Sequence, residues 1–201
     1  MKILAFTDIH GSFLAIKKLK IKIKRENPDF LLCAGDVSIF ESKIIKIFAE
    51  LDRLSRKIIL IHGNHEDEST FSKLCKKSKN LIYIHKKHCI VEGVLVLGHG
   101  GGGFLHTDRE FESLGKKQFS KLIKGNKGLK IILLTHAPPY RTRLDRIGKS
   151  YCGNKSYRKF VEKNKIDLMV CGHIHENFGK EDKIGKTKVI NPGPFGKIIK
   201  L

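Results

Sequence analysis

Nowhere in this 201-residue chain do about twenty apolar residues follow one another, which excludes a membrane-spanning helix. No basic stretch followed by an apolar one opens the chain at Met1, so no secretory leader is expected. Cysteine is sparse and unpatterned. Cys33, Cys75, Cys89, Cys152 and Cys171 are odd in number and lack the spacing of a zinc ribbon, which fits a reduced, cytoplasmic protein. Cys33 and Cys171 fall in apolar runs and should pack as small apolar residues. No Gly-Lys-Ser/Thr follows the glycine-rich stretch at 98–103, so it is no P-loop. Internal repeats and low-complexity linkers are also missing. A single domain over residues 1–201 is the expectation, because a chain of this length can build one substantial core.

Acidic residues are the other shortage. Twenty Asp and Glu stand against 40 Lys and Arg, a formal net charge of +20. Such a surplus draws anionic substrates toward the surface at low salt. It would also suit nucleic acid, but the basic stretches around Lys17–Arg25 and Lys76–Lys87 are not interleaved with aromatics as a stacking platform would be. They read as solvated faces in a lysine-rich chain. Nucleic acid is therefore a possible partner and not the favoured one, and the oligomeric state is open.

What the chain does have is five short apolar runs, each followed by a polar island. The runs are Ile3–Phe6, Phe30–Cys33, Ile58–Ile61, Ile131–Leu134 and Leu168–Cys171, and they read as buried strands. The islands are Asp8-Ile9-His10, Gly35-Asp36, Gly63-Asn64-His65-Glu66, Thr135-His136 and Gly172-His173-Ile174-His175. Residues at the carboxyl ends of such strands gather along one sheet edge, where open α/β folds put their sites. Carboxylate, amide oxygen and imidazole suit hard or borderline divalent metals. Two carboxylates with neutral imidazoles leave a metal pair with about two units of uncompensated positive charge, a setting that attracts phosphate. Paired metals ~3.5–4 Å apart can stabilise the attacking and the leaving oxygen of an in-line displacement. Phosphoester hydrolysis is the reaction that fits. Taken singly, Asp8 or Asp36 could as well cap a helix, and a lone His after a strand is usually a packed residue; the weight lies in the ordered set.

That set, Asp8-x-His10, Gly35-Asp36, Gly63-Asn64-His65-Glu66, His136 and Gly172-His173-x-His175, resembles the signature of calcineurin-like metallophosphoesterases. It spans residues 8 to 175 with every position filled. The resemblance implies a four-layer helix–sheet–sheet–helix α/β sandwich and a dinuclear site that attacks the phosphoester with a metal-activated hydroxide. It implies that Asp8, His10 and His175 hold one metal, that Asn64, His136 and His173 hold the other, and that Asp36 bridges them. His65 would be the catalytic residue, protonating the leaving oxygen, a task suited to a group that titrates near neutrality. Glu66 would support the turn or a ligand from behind. Mn²⁺ is the expected metal, with Fe²⁺, Ni²⁺ and Zn²⁺ also acceptable to these donors.

Departures narrow the branch. Phosphoprotein phosphatases carry Asp-Arg-Gly shortly after Gly-Asp, whereas Asp36 here continues as Val37-Ser38-Ile39-Phe40. The short chain, Gly-Asn-His-Glu, Gly-His-Ile-His and Asn191-Pro192-Gly193 look closer to small prokaryotic-type phosphodiesterases, acting on nucleotide-type or other small diesters. The alternatives are a nuclease, a phosphomonoesterase or protein phosphatase on the same site, and a non-catalytic scaffold. Gly101, in the glycine-rich stretch, and Arg141, after His136, are the candidate substrate contacts. His99 and His106 are further candidates outside the motif, and Asn191-Pro192-Gly193 is expected to form a structural turn beneath the site.

The remaining pattern is mixed α/β. Helices are expected from Phe13 to before Pro28, after a Ser42 cap, over Glu68–Lys76 and near Arg109–Ile123. Leu81–Ile84, His88–Val91, Val94–Leu97, Lys186–Asn191 and Lys197–Leu201 should be extended, with a tight turn at Glu92-Gly93.

Overall fold

Each of the five apolar runs becomes a strand whose apolar side chains are buried toward both faces, and this fixes the layering. A computed structural model describes residues 1–201. The chain runs through β1 (Lys2–Phe6), α1 (Phe13–Glu26), β2 (Phe30–Cys33), α2 (Ile44–Asp52), β3 (Ile58–Leu60), α3 (Glu68–Lys76), β4 (Leu81–Tyr83), β5 (Lys87–Val91) and β6 (Val94–His99). It continues through α4 (Arg109–Leu114), a π-helical turn (Gly115–Phe119), α5 (Ser120–Gly125), β7 (Lys130–Thr135), the hairpin β8 (Arg146–Ile147) and β9 (Ser150–Tyr151), and α6 (Lys155–Lys163). Then come β10 (Leu168–Val170), a 3₁₀ turn (His175–Asn177), β11 (Glu181–Ile184), β12 (Thr187–Ile190) and β13 (Lys197–Lys200).

The first sheet has the order β13-β1-β2-β3-β4, parallel except for β13, which pairs antiparallel with β1. The second has the order β11-β12-β10-β7-β6-β5, with a parallel centre and antiparallel edges at β11 and β5. Alternate residues divide between two sides, as the two-residue repeat of a strand requires. Ile3 and Ala5 of β1 join Val94, Val96, Ile132 and Val170 between the sheets. Leu4 and Phe6 pack instead with Ala15, Leu19, Ile47 and Phe71 of α1, α2 and α3. On the far side Leu133, Met169 and Val189 meet Phe111, Phe119, Tyr157 and Phe160 of α4, α6 and the π turn. The result is helices, sheet, sheet, helices: the four-layer sandwich.

Local chemistry accounts for most boundaries. Ser12 caps α1 by accepting from the Ala15 amide, and Asn27 ends it in a left-handed conformation just before Pro28. Asp67 caps α3 through the Ser69 and Thr70 amides. Ser42 does not cap α2, however; the helix starts after Lys43, whose backbone is left-handed and whose side chain makes no capping bond. The helix expected over 109–123 is interrupted by the π-helical turn, where Gly115 packs against the Phe160 ring. Missing from the sequence reading are β8, β9, β11 and α6. The last is polar overall, but it buries Tyr157, Phe160 and Val161 at helical spacing behind an Asn154 cap, and that pattern was there to be found.

Candidate metal centre

Because β1, β2 and β3 run parallel, their carboxyl ends share an edge, and the turns beyond them carry Asp8, His10, Asp36, Asn64 and His65. β7 and β10 of the second sheet are parallel to one another and deliver His136, His173 and His175. Loop contacts join the two groups. The His173 amide donates to both carboxylate oxygens of Asp8, at 3.2 and 3.0 Å, across 165 positions of sequence. All seven candidate ligands and His65 therefore meet in one place.

The spacings suit cation binding. His10 Nε2 lies 3.8 Å from Asp8 Oδ1 and 3.7 Å from Asp36 Oδ2, and His175 Nε2 lies 3.6 Å from Asp8 Oδ1. His136 Nε2 is 3.3 Å from Asp36 Oδ2 and 2.9 Å from Asn64 Oδ1. Asp36 is thus central, in reach of both groups. Three overlapping sets have ligand atoms mutually within 4.8 Å: Asp8, His10 and His175; His10, Asp36 and His65; Asp8, Asp36 and His136.

Two observations test whether these donors fit a metal pair. The Nε2 atoms of His10 and His175 face each other at 3.1 Å, and His173 Nε2 is buried with no hydrogen-bond partner. Buried polar atoms are almost always paired, so this nitrogen, whose ring lies 5.2 Å from that of His136, is free to bond a further group. The second observation is electrostatic. His136 is fully buried, which by itself disfavours its charged form, yet bonding and charge from Asp36 hold the imidazole up at about 9. Both its nitrogens have acceptors, Ala34 O at 2.8 Å and Asn64 Oδ1 at 2.9 Å, as an imidazolium requires. Burial likewise works against the ionised Asp36, but His136 brings its carboxyl down to about 2. The carboxylates impose positive charge on a buried ring, and a divalent cation meets the same field. The donor set fits.

Supporting bonds orient the ligands. His10 Nδ1 donates to Ser38 O at 3.2 Å and His136 Nδ1 to Ala34 O, which turns each Nε2 inward. Thr7 Oγ1 donates to Asp8 Oδ2 at 2.7 Å. Buried Glu66 accepts from the amides of Asp36, Ser38 and Gly63 at 3.1, 2.8 and 2.9 Å, and from Ser38 Oγ at 2.9 Å, so it ties the Asp36 and Asn64 turns together. Asn191 donates to the carbonyls of Gly172 and Ile174, and Gly193 O receives the Thr7 amide. Asn191-Pro192-Gly193 is accordingly a brace under the site.

The backbone is bent to serve this arrangement. Asp8, His10, Asp36 and His173 have φ of 53°, 43°, 51° and 72°, left-handed values that cost an L-residue roughly 1–2 kcal/mol each. Strain of this kind concentrates at functional sites. A Cβ on Gly63 would fall within the Asp36 carboxylate, and one on Gly172 within the Thr7 hydroxyl and the Asp8 carboxylate. Only glycine lets these turns close.

The substrate contacts are less well placed. The Gly101 amide donates to His62 O at 3.0 Å, so that N–H is not offered to a phosphate. Gly103 is the member of the stretch beside the Asn64 side chain. Arg141 is exposed over the Tyr140 ring, while Arg143 and Arg146 of the same loop line a cavity of about 590 Å³ with Lys180 and Glu176. His99 is buried against Tyr157 and His106 is exposed, and neither touches the candidate ligands. Sequence reasoning missed Phe40 and Phe104, whose rings lie 4.5 Å from His65 and 4.3 Å from His173.

The family profile of calcineurin-like phosphoesterases matches residues 1–177. The uncharacterized protein MJ1162 of Methanocaldococcus jannaschii is 33% identical over 203 aligned residues, covering 96% of this chain and 88% of that protein. Two solved structures share the fold. A dimetal phosphatase from Danio rerio superposes with a TM-score of 0.71 at 10% identity, covering 94% of this chain and 86% of the other. An archaeal phosphodiesterase superposes with a TM-score of 0.55 at 18% identity, covering 96% and 84%. No helix is long and apolar enough to cross a membrane.

Proposed function

The chain belongs to the calcineurin-like phosphoesterase family, and we propose that it is a phosphodiesterase with a dinuclear metal site, acting on nucleotide-type or other small diesters. The observation that carries this reading is the convergence of Asp8 and Asp36 with an amide and four imidazoles, one of them bearing the orphaned His173 nitrogen. Asp8, His10 and His175 would hold one cation, Asn64, His136 and His173 the other, and Asp36 both. When bound, such a pair supplies Lewis-acid charge to the phosphoryl oxygens and lowers the pKa of water. Mn²⁺ is our first choice for it. Because both sheets contribute ligands, residues 1–201 would act as one catalytic domain. A cytoplasmic location rests on the odd, unpatterned cysteines alone.

The protein's own part is positioning and proton transfer. His65 is partly exposed at the rim, its amide fixed to Asp36 Oδ1 at 3.1 Å and its ring 4.9 Å from that of His10. From there the imidazole would donate a proton to the departing ester oxygen while the phosphoryl group lies against the ligand cluster. A diester carries one negative charge at phosphorus and asks for less positive clamping than a monoester. That agrees with a rim where Arg141 is turned onto Tyr140. The archaeal phosphodiesterase that shares the fold favours the same substrate class, and the Danio phosphatase keeps the monoester alternative in view.

The test is hydrolysis of a chromogenic phosphodiester against its matched monoester, by protein stripped of metal and resupplied with Mn²⁺. Asp36→Asn serves as the control. Metal-dependent turnover that favours the diester and vanishes in the control is the expected result. A preference for the monoester would move the assignment to a phosphatase.

A further inference from the structure

Two aromatic side chains that belong to no core stand against the imidazoles of the centre. Phe40 is 76% exposed with its ring beside His65, and Phe104 is 61% exposed with its ring beside His173. They come from unrelated segments, the loop between β2 and α2 and the glycine-rich segment after β6. Scattered exposed apolar residues need no explanation, but these two flank the centre, and the loop of the first is strained. Phe40, Glu41 and Lys43 have φ of 45°, 60° and 55°, a cluster of left-handed residues in an irregular loop. Phe104 follows Gly101, Gly102 and Gly103, whose positive φ glycine adopts without strain, so only the Phe40 loop is bent at a cost. Each ring touches one imidazole of the centre and leaves most of its surface uncovered, so a partner outside the chain is the natural recipient.

The chemistry of the site says what that partner is. A phosphoryl group seated on the ligand cluster sends its ester substituents outward. The group departing toward His65 passes Phe40, and a group on the His173 side passes Phe104. An apolar ring face beside an anion site matches a molecule in which a flat aromatic ring is tethered to a phosphate. Stacking of a base on an aromatic side chain contributes ~1–3 kcal/mol and is indifferent to which base it is.

We propose that Phe40 and Phe104 are specificity-determining residues that stack on the bases of a nucleotide-type phosphoester, one on each flank of the centre. This rests on the phosphoesterase reading and adds to it the residues that would favour a base-bearing substrate. Binding measures it directly, by calorimetric titration of the Mn²⁺-loaded protein with adenosine 5′-monophosphate and with ribose 5-phosphate, which differ only in the base. The wild type should prefer the base-bearing ligand by about tenfold, the lower part of the stacking range. The double variant Phe40→Leu/Phe104→Leu keeps apolar bulk without a ring face and should lose that preference. Phe40→Trp/Phe104→Trp should retain it, which separates stacking from damage to the fold. No preference in the wild type, or one that survives in the leucine variant, overturns the proposal. A base preference without hydrolysis of any phosphoester would sustain it and sink the phosphodiesterase reading. Hydrolysis without a base preference would do the reverse.

Discussion

Two groups of histidines share this fold and differ in what surrounds them. At the strand ends His10, His65, His136, His173 and His175 surround Asp8 and Asp36. To one side His62, His85 and His99 are packed among Phe71, Tyr83, Phe111 and Tyr157. Ring spacings are alike: 4.9 Å for His10 and His175, 4.6 Å for His62 and His85, 5.2 Å for His85 and His99. Their protons differ in part. At the strand ends Asp36 outweighs burial and holds His136 at about 9, whereas burial and the charge on His136 bring His173 down to about 4. In the aromatic group burial, followed by repulsion from neighbouring histidines, brings His62 down to about 4 and His85 to about 2. Even His99, with Asp108 3.6 Å away, is kept below its ordinary value by burial. The clusters able to hold a cation are those with Asp8 and Asp36 among the imidazoles. The neutral rings serve as hydrogen-bonding core, with His85 Nδ1 accepting the Gly100 amide at 2.8 Å and His62 Nδ1 paired to the Tyr83 hydroxyl at 2.7 Å.

The contrast can be broken most severely at Asp36. Asp36→Asn keeps an acceptor for the His65 amide but removes the charge shared by both halves. Metal content by elemental analysis should fall toward zero and turnover by more than ~10³-fold, as expected when several kcal/mol of charge stabilisation is lost. Wild-type turnover would remove Asp36 from the bridging role. His65→Ala should leave metal content intact and lower kcat by ~10²–10⁴-fold, the range for a proton-transfer group; full activity would strip His65 of that task. Glu66→Ala leaves the amides of Asp36, Ser38 and Gly63 without their acceptor. Unpaired buried donors cost about 1–3 kcal/mol each, so a lowered Tm together with ~10–100-fold weaker metal binding is expected, and an unchanged Tm would contradict it.

The smallest effect lies in the aromatic group. His85 is held neutral far below the 6.5 it has when unfolded, so the unfolded chain binds the proton more readily. Stability present above pH 6.5 should be lost as the pH falls from there toward the folded value. His85→Asn offers Oδ1 to the Gly100 amide without a titrating ring. Melting curves between about pH 7.5 and pH 5 should show a shallower decline in the variant than in the wild type. Equal slopes would mean that His85 does not carry the dependence.

This division explains what the sequence made legible. The strand-end candidates could be read because each island follows its own apolar run, and because the parallel order of β1, β2 and β3 converts sequence position into a shared edge. The helix expected over Glu68–Lys76 is present, behind an Asp67 cap. The His62, His85 and His99 group could not, since its members lie on different strands and turns and only tertiary packing shows which rings touch. His99 was misjudged for that reason. Gly101 looked like a free amide because nothing local announces that His62 O will take it. Phe40 and Phe104 look like ordinary apolar residues until their exposure and their neighbours are known together.

The 165 positions that separate Asp8 from its bond to His173 also have a consequence in time. A ribosome adding ~5–20 residues per second exposes Asp8, His10, Asp36 and Asn64 for several seconds before His136, His173 and His175 exist. A nascent chain stopped at that stage holds both carboxylates of the candidate centre and only one of its four candidate imidazoles. The choice of metal would thereby be deferred until synthesis has passed His175, when hard and borderline ions could compete for the complete set of donors.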